Sequence, residues 1–137
     1  MAIGKMAISQ GVRRMPVTTL YRPVGQKELD LIAAGGYAAF PPRLSSQPIF
    51  YPVLSRKYAE QIARDWNTKD ELSGYVGFVL EFDADSEYLS KFEIQKVGSQ
   101  QHLEYWIPAE ELEEFNRNIL GKIRVIAEFK GTSAPPV

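Results

Sequence analysis

The residues best suited to chemistry are an ionisable pair, His102 and Glu104. The alternation of polar and apolar residues around them predicts a β-strand, and side chains two positions apart in a strand point to the same face. One face therefore carries His102, Glu104 and Trp106, and the other, which should pack in the core, carries Leu103, Tyr105 and Ile107. Because His102 is the only histidine, we expect a reacting centre on its face first.

Composition excludes several classes of protein and of site. The chain has 137 residues, which suits one domain with a hydrophobic core. The absence of cysteine and the single histidine exclude disulfides, cysteine nucleophiles and the usual zinc sites. A net charge of −1 gives no basic surface for nucleic acid. No apolar run approaches the roughly 18 residues of a membrane span, and without a secretory signal we expect a cytoplasmic protein.

The first half of the chain predicts alternating strands and helices. A β-prone segment at 18–22 should end at Pro23, because proline cannot donate to a sheet. A helix is expected over 26–34 and a short strand over 49–53. Ser55 is a good N-cap for a helix that reaches about residue 67. The apolar stripe of that helix is expected to pack in the core, and it consists of Tyr58, Ala59, Ile62, Ala63 and Trp66.

The second half predicts a mostly antiparallel arrangement. An apolar segment at 75–82 is typical of a central strand. After a helical turn at 83–91, a strand at 93–97 should form a hairpin with the His102 strand. A helix from Pro108 through Ile119 and a turn at Gly121 should precede a last strand over 123–129.

These elements predict an α+β fold: one domain over residues 17–130 with a mixed, mostly antiparallel split sheet and about three helices. Residues 1–16 are expected to be a flexible arm, and residues 131–137 a disordered tail.

Three short motifs, in order, resemble the ADP-ribosyltransferase-like fold. They are Leu20-Tyr21-Arg22 on a first strand, Ile49 to Ser55 with Tyr58 to Ala63 on a strand and helix, and His102-Leu103-Glu104 on a later strand. The resemblance covers roughly residues 18 to 129. The chain also resembles small bacterial proteins labelled "ADP-ribosylation/crystallin J1".

The resemblance implies that NAD is bound as a substrate and that ADP-ribose passes to water or to a protein acceptor. Glu104 would stabilise positive charge on the ribose, as a carboxylate does in glycoside hydrolysis, with His102 as a helper. Arg22 would hold a phosphate, with Arg43 in the proline-rich loop as a second anchor. Tyr51 would stack on nicotinamide, and the remaining binding residues would be Tyr21, Ser55 and Trp106.

Simpler interpretations of the same residues remain open. His102 and Glu104 also fit the solvated face of a strand, and Arg22 fits a cation paired with Glu28 or Asp30. The segment Tyr51-Pro52-Val53 stands where the family carries a serine and threonine run, which favours a non-catalytic module that binds a nucleotide or a protein. An unrelated α+β interaction protein is the third hypothesis.

Overall fold

The computed structural model describes residues 16–131. Over these residues the chain forms seven strands and four α-helices, with three 3-10 turns at Asn67–Lys69, Glu71–Ser73 and Ala109–Glu111. The helices are α1 (Gln26–Ala34), α2 (Arg56–Asp65), α3 (Ser86–Leu89) and α4 (Leu112–Arg117). The strands are β1 (Val17–Val24), β2 (Ile49–Phe50), β3 (Val76–Asp85), β4 (Ile94–Lys96), β5 (Leu103–Tyr105), β6 (Ile107–Pro108) and β7 (Ile119–Lys130). The predicted α+β class is confirmed.

The main sheet is antiparallel, with β3 in the centre between β1 and β7. Two small antiparallel pairs, β2 with β6 and β4 with β5, lie beside it. Val53 connects these parts, because it pairs with Tyr21 of β1 on one side and with Glu104 of β5 on the other. The side chains at these paired positions therefore form one continuous row from the main sheet to the hairpin of β4 and β5.

The two faces of the sheet are covered differently. On the face that we call the aromatic face, buried β1 and β3 residues pack against rings of Phe40, Phe50 and Phe115. Phe40 lies 4.9 Å from both Phe50 and Phe82, measured between ring centroids. On the other face, the α2 face, Ala59 and Ala63 pack against Val53 and Val79. The prediction that the central strand is covered on both sides is confirmed.

Several helix and strand boundaries differ from the predicted ones. Pro23 does not end β1 but pairs with Val79, and its missing N–H is tolerated because it points towards the open edge of β1. The helix at 108–119 is shorter than predicted, since α4 ends at Arg117 and Ile119 already begins β7. Gly121 lies within that strand, at a φ of 80° beside a register irregularity, rather than in a turn between elements.

One further expectation is corrected, and another concerns residues that lie mostly outside the described range. Trp66 was expected in the core, but α2 ends at Asp65 and the indole is 60% exposed. The predicted arm and tail lie outside the described residues, apart from Pro16 and Gly131. The Gly131 N–H donates to the Tyr75 carbonyl at 2.9 Å.

We predict that Gly77→Ala destabilises the fold by about 1–3 kcal/mol, the usual range for overpacking a core. A Cβ at this position would lie 2.5 Å from the Ala63 carbonyl oxygen, so α2 would have to move away from β3. Gly35→Ala is the control, because its Cβ meets no atom closer than 3.6 Å. Urea denaturation of the three proteins tests this, and equal midpoints would show that α2 does not depend on the close approach.

Candidate functional site

Glu104 is a buried carboxylate held by two neutral donors. It lies on the α2 face and is 9% exposed. The Tyr58 hydroxyl donates to Oε2 at 2.7 Å, and the Trp106 indole N–H donates to Oε1 at 2.9 Å. None of the ion pairs formed within residues 16–131 involves Glu104. The carboxylate is thus oriented but has no cation beside it.

Tyr58 is placed by the start of α2. The Ser55 hydroxyl caps this helix by accepting the Tyr58 N–H at 3.1 Å. The Tyr58 ring stacks on His102 with 4.3 Å between centroids and 7° between the planes. Burial, followed by the hydrogen bond to Glu104, raises the pKa of Tyr58 far above its usual value. Tyr58 therefore remains a hydrogen-bond donor to Glu104 at physiological pH.

A cavity of about 360 Å³ with a mixed apolar and polar lining lies beside this stack. We call it the histidine cavity, and its polar lining consists of Ser55, Lys57, Tyr58, Gln61, Gln101 and His102. Lys57 supplies a cation and the two glutamines supply amide donors and acceptors. This lining is suited to an anionic or polyhydroxyl group.

An aromatic pair lies beside Glu104 on the Trp106 side. Tyr51 meets Trp106 edge to face, with 6.3 Å between ring centroids. Trp106 is 44% exposed and Tyr51 is 41% exposed. The pair therefore forms an exposed apolar surface. This surface lies directly next to a fixed carboxylate, because the indole N–H donates to Glu104.

The structure does not bring Arg22 and Glu104 into one cleft. Tyr21, Val53 and Glu104 are directly paired, so their side chains share the α2 face. Arg22 follows Tyr21 in the strand and points to the opposite, aromatic face. There it donates two hydrogen bonds to Glu28, at 2.6 and 2.9 Å, above the Phe50 ring. The expected pairing with Glu28 is present, but Arg22 is 8% exposed and lies inside β1, so the expectation of a surface cation at the end of a strand is wrong.

The predicted site residues thus divide into two groups. On the α2 face, Glu104 of β5 lies together with His102 and Trp106, which flank this short strand, and the same region contains Tyr51 and Ser55. Tyr21 shares this face, but Val53 lies between it and Glu104. Burial and then the nearby Glu81 carboxylate raise its pKa. Arg43 lies on the other side, with its guanidinium 5.9 Å from the Phe50 centroid.

The sequence interpretation missed the role of Tyr58. It was assigned to the apolar stripe of α2, where its ring does pack. The available signal was its hydroxyl, because a partly buried tyrosine generally finds a hydrogen-bond partner. Lys57 and Gln61 were also missed, since both fit an ordinary solvated helix face.

Metal and membrane features are not found in the described part of the chain. Among residues 16–131, no three acidic or histidine side chains cluster closely enough to hold a metal ion. Within the same range, none of the helices has the length and apolar character needed to cross a membrane. Comparison with protein-family models, with curated proteins and with solved structures finds no match to this chain.

We predict that Tyr58→Phe lowers the free energy of unfolding by about 1–3 kcal/mol, because it leaves a buried Glu104 oxygen without its donor. Tyr88→Phe is the matched control, since its hydroxyl donates to the more exposed Glu111 and the loss should be smaller. Denaturant titration at neutral pH measures both. An equally small effect of both changes would mean that water replaces the Tyr58 hydroxyl.

The raised pKa of Tyr58 also predicts a pH dependence of stability. The folded state keeps the phenolic proton to higher pH than the unfolded state, so this stabilisation is complete below pH 10 and falls as the pH rises above 10. The fall should be shallower in Tyr58→Phe than in wild type. Thermal unfolding between pH 8 and pH 11 measures it, and parallel curves would contradict the assignment.

Proposed function

We propose that this protein binds a nucleotide such as NAD on the α2 face, with Glu104 beside the ribose. The observation that carries the proposal is the position of Glu104. Its carboxylate is fixed by two hydrogen bonds between an exposed aromatic pair and a cavity that Lys57 and two glutamines line in part. A planar ring, a ribose and phosphates are the three parts that such a surface suits. The proposed fold family is the ADP-ribosyltransferase-like one.

Each part of the ligand has a suitable partner. The exposed Trp106 and Tyr51 offer faces and edges on which a nicotinamide or adenine ring can stack, an interaction worth about 1–3 kcal/mol per base. Lys57 and the glutamines of the histidine cavity suit phosphate oxygens. Arg22 is not needed in this arrangement, because it lies on the opposite face and is already paired with Glu28.

Cleavage of NAD would follow from the same geometry. The bond between the nicotinamide nitrogen and the ribose C1′ breaks, and nicotinamide leaves with the bonding electrons. Water or an acceptor nucleophile forms the new bond to C1′ and gives up its proton, for which His102 is the base in this site. Glu104 stabilises the positive charge that develops on the ribose. Each of its oxygens keeps a second lone pair for a ribose hydroxyl.

A second candidate is binding without cleavage. Glu104 is largely buried, and both of its oxygens already accept a hydrogen bond from the protein. A carboxylate that serves mainly to orient Tyr58 and Trp106 would shape a binding surface without taking part in a reaction. The two candidates share the ligand and differ only in turnover.

We predict that wild type releases nicotinamide from NAD and that Glu104→Gln lowers the rate at least about 100-fold, as is typical when an electrostatic stabiliser is removed. Glu128→Gln, on the exposed side of β7, is the matched control and should keep the wild-type rate. Chromatography of nicotinamide measures the reaction, and labelled NAD separates transfer to protein from hydrolysis. Binding with no release in wild type would select the second candidate.

Binding itself is predicted to quench Trp106 fluorescence. The chain has two tryptophans, and Trp66→Phe leaves Trp106 as the single indole. Titration of this variant with NAD or ADP-ribose should give a saturable loss of emission, because a stacked ring lies against the indole. Tyr51→Ala in the same background should weaken binding. If NAD changes neither emission nor melting temperature, the proposed nucleotide site is wrong.

A further inference from the structure

A second cavity, of about 440 Å³, lies on the other side of β1 from Glu104. We call it the arginine cavity. It opens at the start of α1, and the lining residues that matter are Arg22, Gly25, Lys27, Glu28, Arg43 and Asn67. Neither Glu104 nor any residue of the histidine cavity contributes to it. It is therefore a separate site.

Arg43 is a partly buried cation in this cavity that has no ion-pair partner among residues 16–131. Arg22 is neutralised by Glu28, whereas none of the ion pairs within residues 16–131 includes Arg43. One Arg43 Nη donates to the Ile49 carbonyl at 3.1 Å, and its Nε is buried without an acceptor. Burial and then the charge of Arg22 lower the pKa of Arg43. The guanidinium is thus a partly buried cation without a carboxylate partner, which an anion would stabilise.

The rest of the lining has the same electrostatic character. The acids around the cavity are Glu28, which is paired, and Asp70, which accepts the Ser73 hydroxyl at 2.7 Å. Lys27 adds a further cation. In total, three cations face two carboxylates. An excess of one positive charge remains for a ligand to balance.

The start of α1 adds backbone donors. This nine-residue helix begins after Gly25, and no described side chain caps it. Its first N–H groups and the positive end of its dipole therefore favour an anion at the Gly25 end, which lines the cavity.

A second polar group in the wall also lacks a partner. Asn67 is 5% exposed, and its side-chain oxygen has no hydrogen-bond donor within the described residues, although its amide donates to Ser73 at 2.9 Å. This oxygen is enclosed by the cavity wall, so a ligand in the cavity does not contact it.

We propose that the arginine cavity is a second ligand site that binds a small oxyanion, the phosphate or carboxylate group of a small molecule, between Arg43 and the start of α1. Arg43 supplies a positive charge that no carboxylate within residues 16–131 pairs with. Lys27 and the first N–H groups of α1 close the other side. Arg22 and Glu28 form a fixed ion pair in the wall of the cavity, with the Arg22 guanidinium above the Phe50 ring.

The test uses the full chain with inorganic phosphate as the probe and acetate as the carboxylate arm, each against chloride at matched ionic strength. At ten times its Kd, phosphate should raise the melting temperature by about 3–6 °C, as expected for a ligand bound only by the folded state. In NMR titrations, the amide shifts should concentrate at residues 26–28. A larger response to acetate than to phosphate would identify a carboxylate ligand.

Arg43→Gln should weaken phosphate binding at least about tenfold, because it removes a charge-assisted hydrogen bond. Arg117→Gln is the matched control, since this exposed arginine of α4 lies outside the cavity lining and pairs with Glu113 and Glu114. Lys27→Gln, at an exposed position, provides a second test if Arg43→Gln does not fold.

The proposal is overturned if phosphate and acetate have no effect on wild type. It is also overturned if the anion stabilises wild type, Arg43→Gln and Lys27→Gln equally, as a general salt effect would. Glu104→Gln should bind phosphate in this cavity as wild type does. Failure of the nucleotide proposal would therefore leave this result unchanged.

Discussion

Four backbone hydrogen bonds around residues 52–54 decide which side chains share a site. Val53 exchanges two with Tyr21, at 2.8 and 2.9 Å, while Leu54 N–H donates to Leu103 and Tyr105 N–H to Pro52 at 3.0 and 2.9 Å. This short segment therefore joins β1 to β5 in a fixed register. Since a shift of one residue would turn every side chain to the other face, the same bonds place Glu104 on the α2 face and leave Arg22 on the aromatic face.

The close approach of α2 to the sheet follows from small residues. Ala59 and Ala63 are fully buried, and Gly77 leaves room for the backbone of Ala63. A larger side chain at these positions would lift the helix and carry the Tyr58 hydroxyl away from Glu104. Packing that stabilises the core thus also sets one of the two hydrogen bonds that orient Glu104.

Local patterns predicted the parts of the site that depend on one strand. The two-residue period placed His102, Glu104 and Trp106 on one face, and Ser55 was predicted as the cap of α2. The relation of Arg22 to Glu104 depends on the pairing of Val53 with Tyr21 on one side and with Glu104 on the other, and no local period encodes that register. Ile119 fitted a helical stripe, but pairing with Ala84 of β3 drew it into β7.

Glu104 on the α2 face and Arg43 on the other side of β1 both lack an ion-pair partner among residues 16–131. A buried carboxylate without a cation is costly, and two neutral donors offset only part of that cost. Glu104 is therefore better matched to a ligand with developing positive charge than to a neutral one, whereas Arg43 is matched to an anion. Because the backbone of β1 separates Glu104 from Arg22, a single group cannot contact both. The nucleotide site and the oxyanion site proposed above are therefore separate.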